Sequence, residues 1–286
     1  MARSSVLVAI YRALMTEART LRKDGVLLPC RRPVSRDEWG KGGFETTTGD
    51  GYHLDCLSSL LPGVTEAPES GIFSGEDLAH TVRHHFRHGM KGDVISPSGG
   101  GADIAVDHAL NALKVLGDQL HLARCSSVAE TDGLRVEATS TYLPNNSSPN
   151  HNRYGHAYRI RIENVSHDGP VKLLGRHWLI LDTEGKVAEV AKGSPGVVGY
   201  YPELRPGMCF QYASGLEIRT PKGAMSGSFQ MREGGEEEEG ESPPGGGGEF
   251  DVEVPPFKLV AHGRGVPTGS TSLSGDESLG PSPLGP

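Results

Sequence analysis

The apolar period of this chain changes once, near residue 128, and the change divides the polypeptide between two architectures. Before that point apolar residues recur every three or four positions. Residues 4–23 carry Val6, Ile10, Ala13, Leu14 and Leu21 at helical spacing, with Ser4 or Ser5 able to cap and Gly25 able to stop the helix. Residues 75–89 repeat Leu78, Val82 and Phe86, and residues 102–122 carry a broad stripe that includes Ile104, Ala109, Ala112, Leu116 and Leu120. Three such helices can bury one another as a small antiparallel bundle. After residue 128 the period is two. In "HAYRIRIEN", Tyr158, Ile160 and Ile162 face one side and Arg159, Arg161 and Glu163 the other. Further alternating runs start at Leu134, Val171, Met208, Ala224 and Glu249, with a Glu-Gly turn at 184–185. About seven short strands separated by Gly/Pro turns predict a β-sandwich.

The domain reading follows from this switch. Residues 1–122 form a helical domain with a long irregular insertion at 24–74, where a short helical turn is expected near "HLDCLSSLL". Residues 128–262 form the sandwich. Its 233–248 loop, acidic and then glycine-rich, is expected to be disordered between two strands. Residues 263–286 hold almost nothing to bury and read as a disordered tail.

Composition excludes some functions. Lys and Arg number 28 against 36 Asp and Glu, a formal net charge of −8. General nucleic-acid binding calls for a basic surface and is not expected. The charge is uneven, since residues 1–36 hold eight Lys/Arg against Glu17 and Asp24. A basic amphipathic start suits an organelle-targeting segment or an acidic partner. The four cysteines, Cys30, Cys56, Cys125 and Cys209, form no C-x-x-C pair, which fits a reducing compartment. No apolar run of about 18 residues is present, so no membrane span is predicted.

Two groups of residues invite a site. The stretch "KGSPGVVGYYPELRPG" (192–207) could cradle an anion through Gly193, Ser194, Gly196 and Gly199, with Arg176 nearby in sequence. A dinucleotide fingerprint would need a helix after the loop, and Pro202 and Pro206 forbid one. A structural turn, an anion nest and a pyrophosphate or nucleotide site are the three readings of this loop. On the second helix, His80, His84 and His88 share one face, opposite Leu78 and Val82. Imidazoles at that spacing can bind zinc, but no ligand completes the set, so a solvated face is expected and a weak metal site is the alternative. No catalytic constellation stands out, so neither an enzyme nor a cofactor is expected. Trp178 reads as sandwich core, and Gly215 as a bend in its strand.

Two resemblances add to this. "PVKLLGRHWLILDTEGKVAEV", "PGVVGYYPELRPGMCFQYASG" and "TPKGAMSGSFQM" resemble, in order, the ApaG domain family over about 128–262. The resemblance implies a fibronectin-III-like sandwich that serves as a protein-interaction or ligand-binding module, without a settled enzymatic activity. The loop of Ser194 to Gly199 sits where members often carry G-x-G-x-x-G, but a serine replaces its first glycine. "IYR" at Ile10, Tyr11 and Arg12, with the basic helix carrying Arg83, Phe86 and Arg87, resembles the LYR-motif family. That resemblance implies a three-helix mitochondrial adaptor for acyl carrier protein, docked through those six residues. The expected protein is thus a non-catalytic adaptor of two modules, mitochondrial if the helical resemblance holds and cytoplasmic otherwise.

Overall fold

A computed structural model describes residues 2–25, 31–45, 74–88, 101–166, 168–234 and 248–261. They fall into two compact units. One comprises the described residues of Met1–Arg32 and Gly49–Arg124, the other those of Pro33–Thr48 and Cys125–Pro286. Cys30, Cys56, the expected turn at "HLDCLSSLL", residues 235–247 of the acidic loop and the tail lie outside the described residues.

The first unit contains helices α1 (Ala2–Asp24), α2 (Gly75–His88) and α3 (Gly101–Arg124). Ile10, Leu14, Met15, Ala18 and Leu21 of α1 share one apolar cluster with Leu78 and Val82 of α2 and Leu116 and Leu120 of α3. The buried arc of α1 differs from the expected stripe. Val6 is 41% exposed, and Ala13 is exposed too, while Leu7, Met15 and Ala18 are buried. The contact with α2 sets this arc, because a Cβ on Gly75 would stand 2.4 Å from the Ala18 carbonyl oxygen. Only glycine admits so close an approach. Ser74 and Asp77 cap α2 reciprocally, Ser74 N–H donating to Asp77 Oδ2 at 2.8 Å and Asp77 N–H to Ser74 Oγ at 3.2 Å.

The second unit is a β-sandwich of two antiparallel sheets. In chain order its strands are β1 (Gly42–Glu45), β2 (Ser126–Thr131), β3 (Leu134–Tyr142), β4 (Tyr154–Asn164), β5 (Val171–Asp182), β6 (Gly185–Pro195), β7 (Glu203–Leu204), β8 (Cys209–Ile218), β9 (Lys222–Glu233) and β10 (Glu249–Val260). One sheet runs β1-β8-β4-β3-β2, the other β10-β9-β5-β6, with β7 on β5. The expected seven or so strands are therefore ten among the described residues. Alternation, re-phased by irregularities in β5 and β10, places Ile160, Ile162, Leu173, Trp178, Phe229, Met231, Val252 and Phe257 in one shared core. Polar bridges also tie the sheets, Ser140 Oγ donating to Lys258 O at 2.6 Å and Ser127 Oγ to Pro255 O at 2.8 Å.

The sequence reading of 24–74 as one irregular insertion of the helical domain needs correction. Residues 33–45 are part of the sandwich. They form a short 3-10 turn at Arg36–Glu38 and then β1, which extends the sheet along β8 with Gly42 opposite Tyr212 and Glu45 opposite Cys209. Ser35 and Glu38 close a capping box, Ser35 N–H donating to Glu38 Oε1 at 3.1 Å. The strand's hydrogen-bond partner lies far away in sequence, so local spacing could not reveal it.

Candidate functional site

The loop singled out in the sequence is a hairpin turn. Val197 N–H donates to Tyr200 O at 2.9 Å and Tyr200 N–H to Val197 O at 2.8 Å. Between them Val198 has φ +42° and Gly199 φ +84°, the two positive values that a type I′ turn requires. Glycine meets that demand without cost. Valine does not, because its branched Cβ crowds the backbone at positive φ.

This turn leaves little for an anion nest. Gly193 N–H donates to Gln230 Oε1 at 3.1 Å, Gly196 N–H to Leu174 O at 3.0 Å, and Ser194 Oγ to Ala191 O at 2.7 Å. Arg176 sits beside the loop, as expected, but serves it differently. Its Nη1 donates to Pro195 O at 2.8 Å and to Gly196 O at 2.5 Å. The guanidinium therefore binds loop carbonyls and pins the turn to β5. Of the four residues offered as an alternative anion cradle, Gly193 and Gly196 spend their amides within the chain, as do Val197 and Tyr200 of the turn.

Behind Arg176 lie four aromatic rings, each edge-on to the next. Tyr158 meets Trp178 at 6.2 Å, Trp178 meets Phe229 at 5.5 Å, Phe229 meets Tyr212 at 6.5 Å, and Tyr212 meets Tyr158 at 6.5 Å. Edge-to-face pairs of this kind are favoured by the ring quadrupoles. Trp178 is core, as the alternation implied, at 2% exposure. Burial raises the Tyr158 phenol pKa, with Ser214 and Arg176 opposing the shift. Burial lifts Tyr212 well above the usual phenol value, reinforced by Tyr158 and opposed by Arg176. The Tyr212 hydroxyl and the Trp178 indole N–H are both buried without a hydrogen-bond partner among the described residues.

The turn also carries an aromatic surface. Tyr200 is 43% exposed, Tyr201 53% and Phe44 of β1 53%. Phe44 and Tyr200 both lean on Phe210, with ring centroids 5.4 Å and 5.6 Å away. A Cβ on Gly42 would meet both the Phe210 and the Tyr200 rings, and one on Gly196 would stand 2.6 Å from Tyr200 O. These two glycines let the strand and the turn crowd around Phe210. Sequence reading missed this surface because Phe44 arrives on the unforeseen strand.

In the helical unit, the structure brings together two of the six residues expected to bind a partner. The Tyr11 and Phe86 rings meet at 5.1 Å. Arg12, Arg83 and Arg87 are exposed. Ile10 is buried in the helical cluster, so it packs the unit and presents no contact surface. His80 and His84 are exposed, and the His88 side chain lies outside the described residues. Among the described residues no group of three or more His, Cys, Asp or Glu is placed to hold a metal ion. No helix among them is long and apolar enough to cross a membrane.

Comparison with known proteins agrees with the sandwich half. The family model of the ApaG domain matches residues 144–233. Protein ApaG of Aromatoleum aromaticum is 41% identical over 134 residues, which is 46% of this chain and 94% of that protein. Protein ApaG of Methylococcus capsulatus is 46% identical over 98 residues, 34% of this chain and 75% of that protein. The crystal structure of the putative ApaA protein from Bordetella pertussis aligns with a TM-score of 0.38 at 35% identity, covering 44% of this chain and 92% of that one. Through its β-sandwich, the chain belongs to the ApaG domain family.

Proposed function

We propose that this chain is a non-catalytic protein-interaction protein whose sandwich docks a partner through Phe44, Tyr200 and Tyr201. One observation carries the reading: Phe44 and Tyr200 stand exposed against Phe210, and Tyr201, next in the turn, is exposed too. Solvated aromatics gathered on a rigid turn are the usual anchors of a protein interface. The loop amides, spent within the chain, favour this reading over a small-anion site at 193–199. A photoreactive benzoylphenylalanine in place of Tyr201 tests it. It should capture a discrete protein adduct, whereas the same group at exposed Glu184, on the β5–β6 turn, should not. Equal adducts at the two sites, or none at Tyr201, would count against the proposal.

A second reading concerns the helical unit. Here the LYR-like resemblance supports an adaptor for an acidic partner such as acyl carrier protein, and with it a mitochondrial location. The observation that favours it is the contact between Tyr11 and Phe86, which joins the two resembling segments. Exposed Arg12, Arg83 and Arg87 add charge suited to an acidic surface. Mixing the full chain with purified acyl carrier protein tests it. Saturable binding that is lost in Arg83→Ala/Arg87→Ala supports the reading, and no binding at low salt ends it.

A further inference from the structure

Residues 33–45 lie on the sandwich as a bound peptide would. β1 pairs with the β8 edge. Just before β1, Gly40 N–H donates to Ala213 O at 2.9 Å, and Ala213 N–H donates to Lys41 O at 3.0 Å. Val34 N–H donates to Thr141 Oγ1 at 3.0 Å. Strand addition with main-chain pairing for affinity and side-chain pockets for specificity is a recurring mode of peptide recognition.

Both kinds of pocket are present. The first is a notch at Gly215. A Cβ there would stand 1.7 Å from Cζ2 of Trp39, and its three nearest atoms would all belong to the Trp39 indole. The missing side chain makes the space that the ring fills. Val34, Ala157, Ala213 and Leu143 line the same apolar cluster. β8 keeps its register with β4 through Ala157 opposite Gly215, so the glycine marks no bulge or bend. The second pocket is charged. Arg159 Nη2 donates to Glu38 Oε2 at 2.5 Å, and the Arg159 side chain is 8% exposed. Arg36 stacks over the Trp39 indole, 3.7 Å from the ring centroid.

The segment lies outside the matched family region. The Aromatoleum match is 134 residues long and takes up 94% of that protein. A match of that length over the family region 144–233 cannot also reach residues 33–45.

We infer that the β8 edge, with the Gly215 notch and Arg159, is a peptide-docking groove, that residues 33–45 occupy it as an intramolecular ligand, and that an extended segment carrying Glu-Trp-Gly can replace them in trans. The same segment brings Phe44 to Phe210 beside Tyr200, so its release would also take one ring from that aromatic surface.

The test uses the full chain carrying Glu38→Gln and Trp39→Ala, which weakens the internal ligand, and a fluorescent synthetic peptide of residues 33–45. The peptide should bind this variant saturably. It should bind the wild-type chain at least about tenfold more weakly, because the tethered segment competes at roughly millimolar effective concentration. Adding Gly215→Ala to the variant should abolish binding. The protein itself should still fold, since the nearest atoms to the new Cβ belonged to the removed indole. Equal binding to wild type and variant, binding to neither, or binding indifferent to Gly215→Ala would each overturn the inference.

Discussion

Arg159 of β4 and Glu38 of the 33–45 segment form an ion pair at 2.5 Å, with side-chain exposures of 8% and 20%. It joins the chain's early segment to the middle of a sheet. A guanidinium this deep is costly when its carboxylate is taken away. Glu38→Ala should therefore destabilise the sandwich by about 2 kcal/mol, discounted from fully buried pairs because Glu38 keeps some solvent. Arg159→Met/Glu38→Leu should cost less than Glu38→Ala alone. Urea unfolding of the three variants checks the order.

The β6–β7 turn holds a valine where its geometry suits glycine or asparagine. Val198 has φ +42°, and a β-branched residue there stores roughly 1 kcal/mol of strain. Val198→Asn should leave stability unchanged or raise it. Gly199→Ala, at φ +84°, should lower it by about 1 kcal/mol or more. Unfolding midpoints at constant urea slope separate the two.

The two tyrosines of the aromatic square should respond differently to loss of the hydroxyl. Tyr212 buries an O–H with no partner among the described residues, whereas Ser214 stands beside the Tyr158 hydroxyl. Removing an unsatisfied buried group is neutral or favourable, while removing a satisfied one costs about 1 kcal/mol. Tyr212→Phe should thus be at least as stable as wild type, and Tyr158→Phe less stable. Thermal unfolding of both variants decides this.

Alkaline stability should report Cys125. Burial lifts its thiol from 9.0 to about 11, opposed by Ser140, Lys258 and the Val260 backbone. The folded state holds the proton more tightly than the unfolded one, so this contribution is complete below pH 9 and is lost as pH rises to about 11. The loss amounts to about 2 kcal/mol. The raised Tyr154, Tyr158 and Tyr212 phenols steepen the same limb at higher pH. Cys125→Ala should flatten the fall between pH 9 and 11 in a pH series of urea titrations.

Much of the sandwich was legible because stretches of its strands alternate apolar and polar residues, and alternation is local. Tyr158, Ile160 and Ile162 point inward as their spacing required. The helices were legible in place, but which apolar residues of α1 face inward was not. Val6 and Met15 are both apolar, and packing against the two other helices, which includes the close approach of Gly75 to Ala18, buries only Met15. Residues 33–45 read as irregular because the features that order them are remote. Trp39 fits the notch of Gly215, Glu38 meets Arg159, and Phe44 leans on Phe210. Gly215 looked like a bend for the same reason, since its function is visible only beside the indole. Arg176 was correctly placed near the loop, yet a basic residue beside glycines suggests an anion equally well as it suggests loop carbonyls. Only the direction of its hydrogen bonds separates the two.

The most direct test of the docking account is the affinity of the crosslinked partner, once purified, for the wild-type chain and for Tyr200→Ser/Tyr201→Ser. Both side chains are largely exposed, so the variant should keep its fold. Its affinity should fall at least about tenfold, as expected when interface aromatics are truncated. Unchanged affinity in a folded variant would contradict the claim that this aromatic surface is where the sandwich binds.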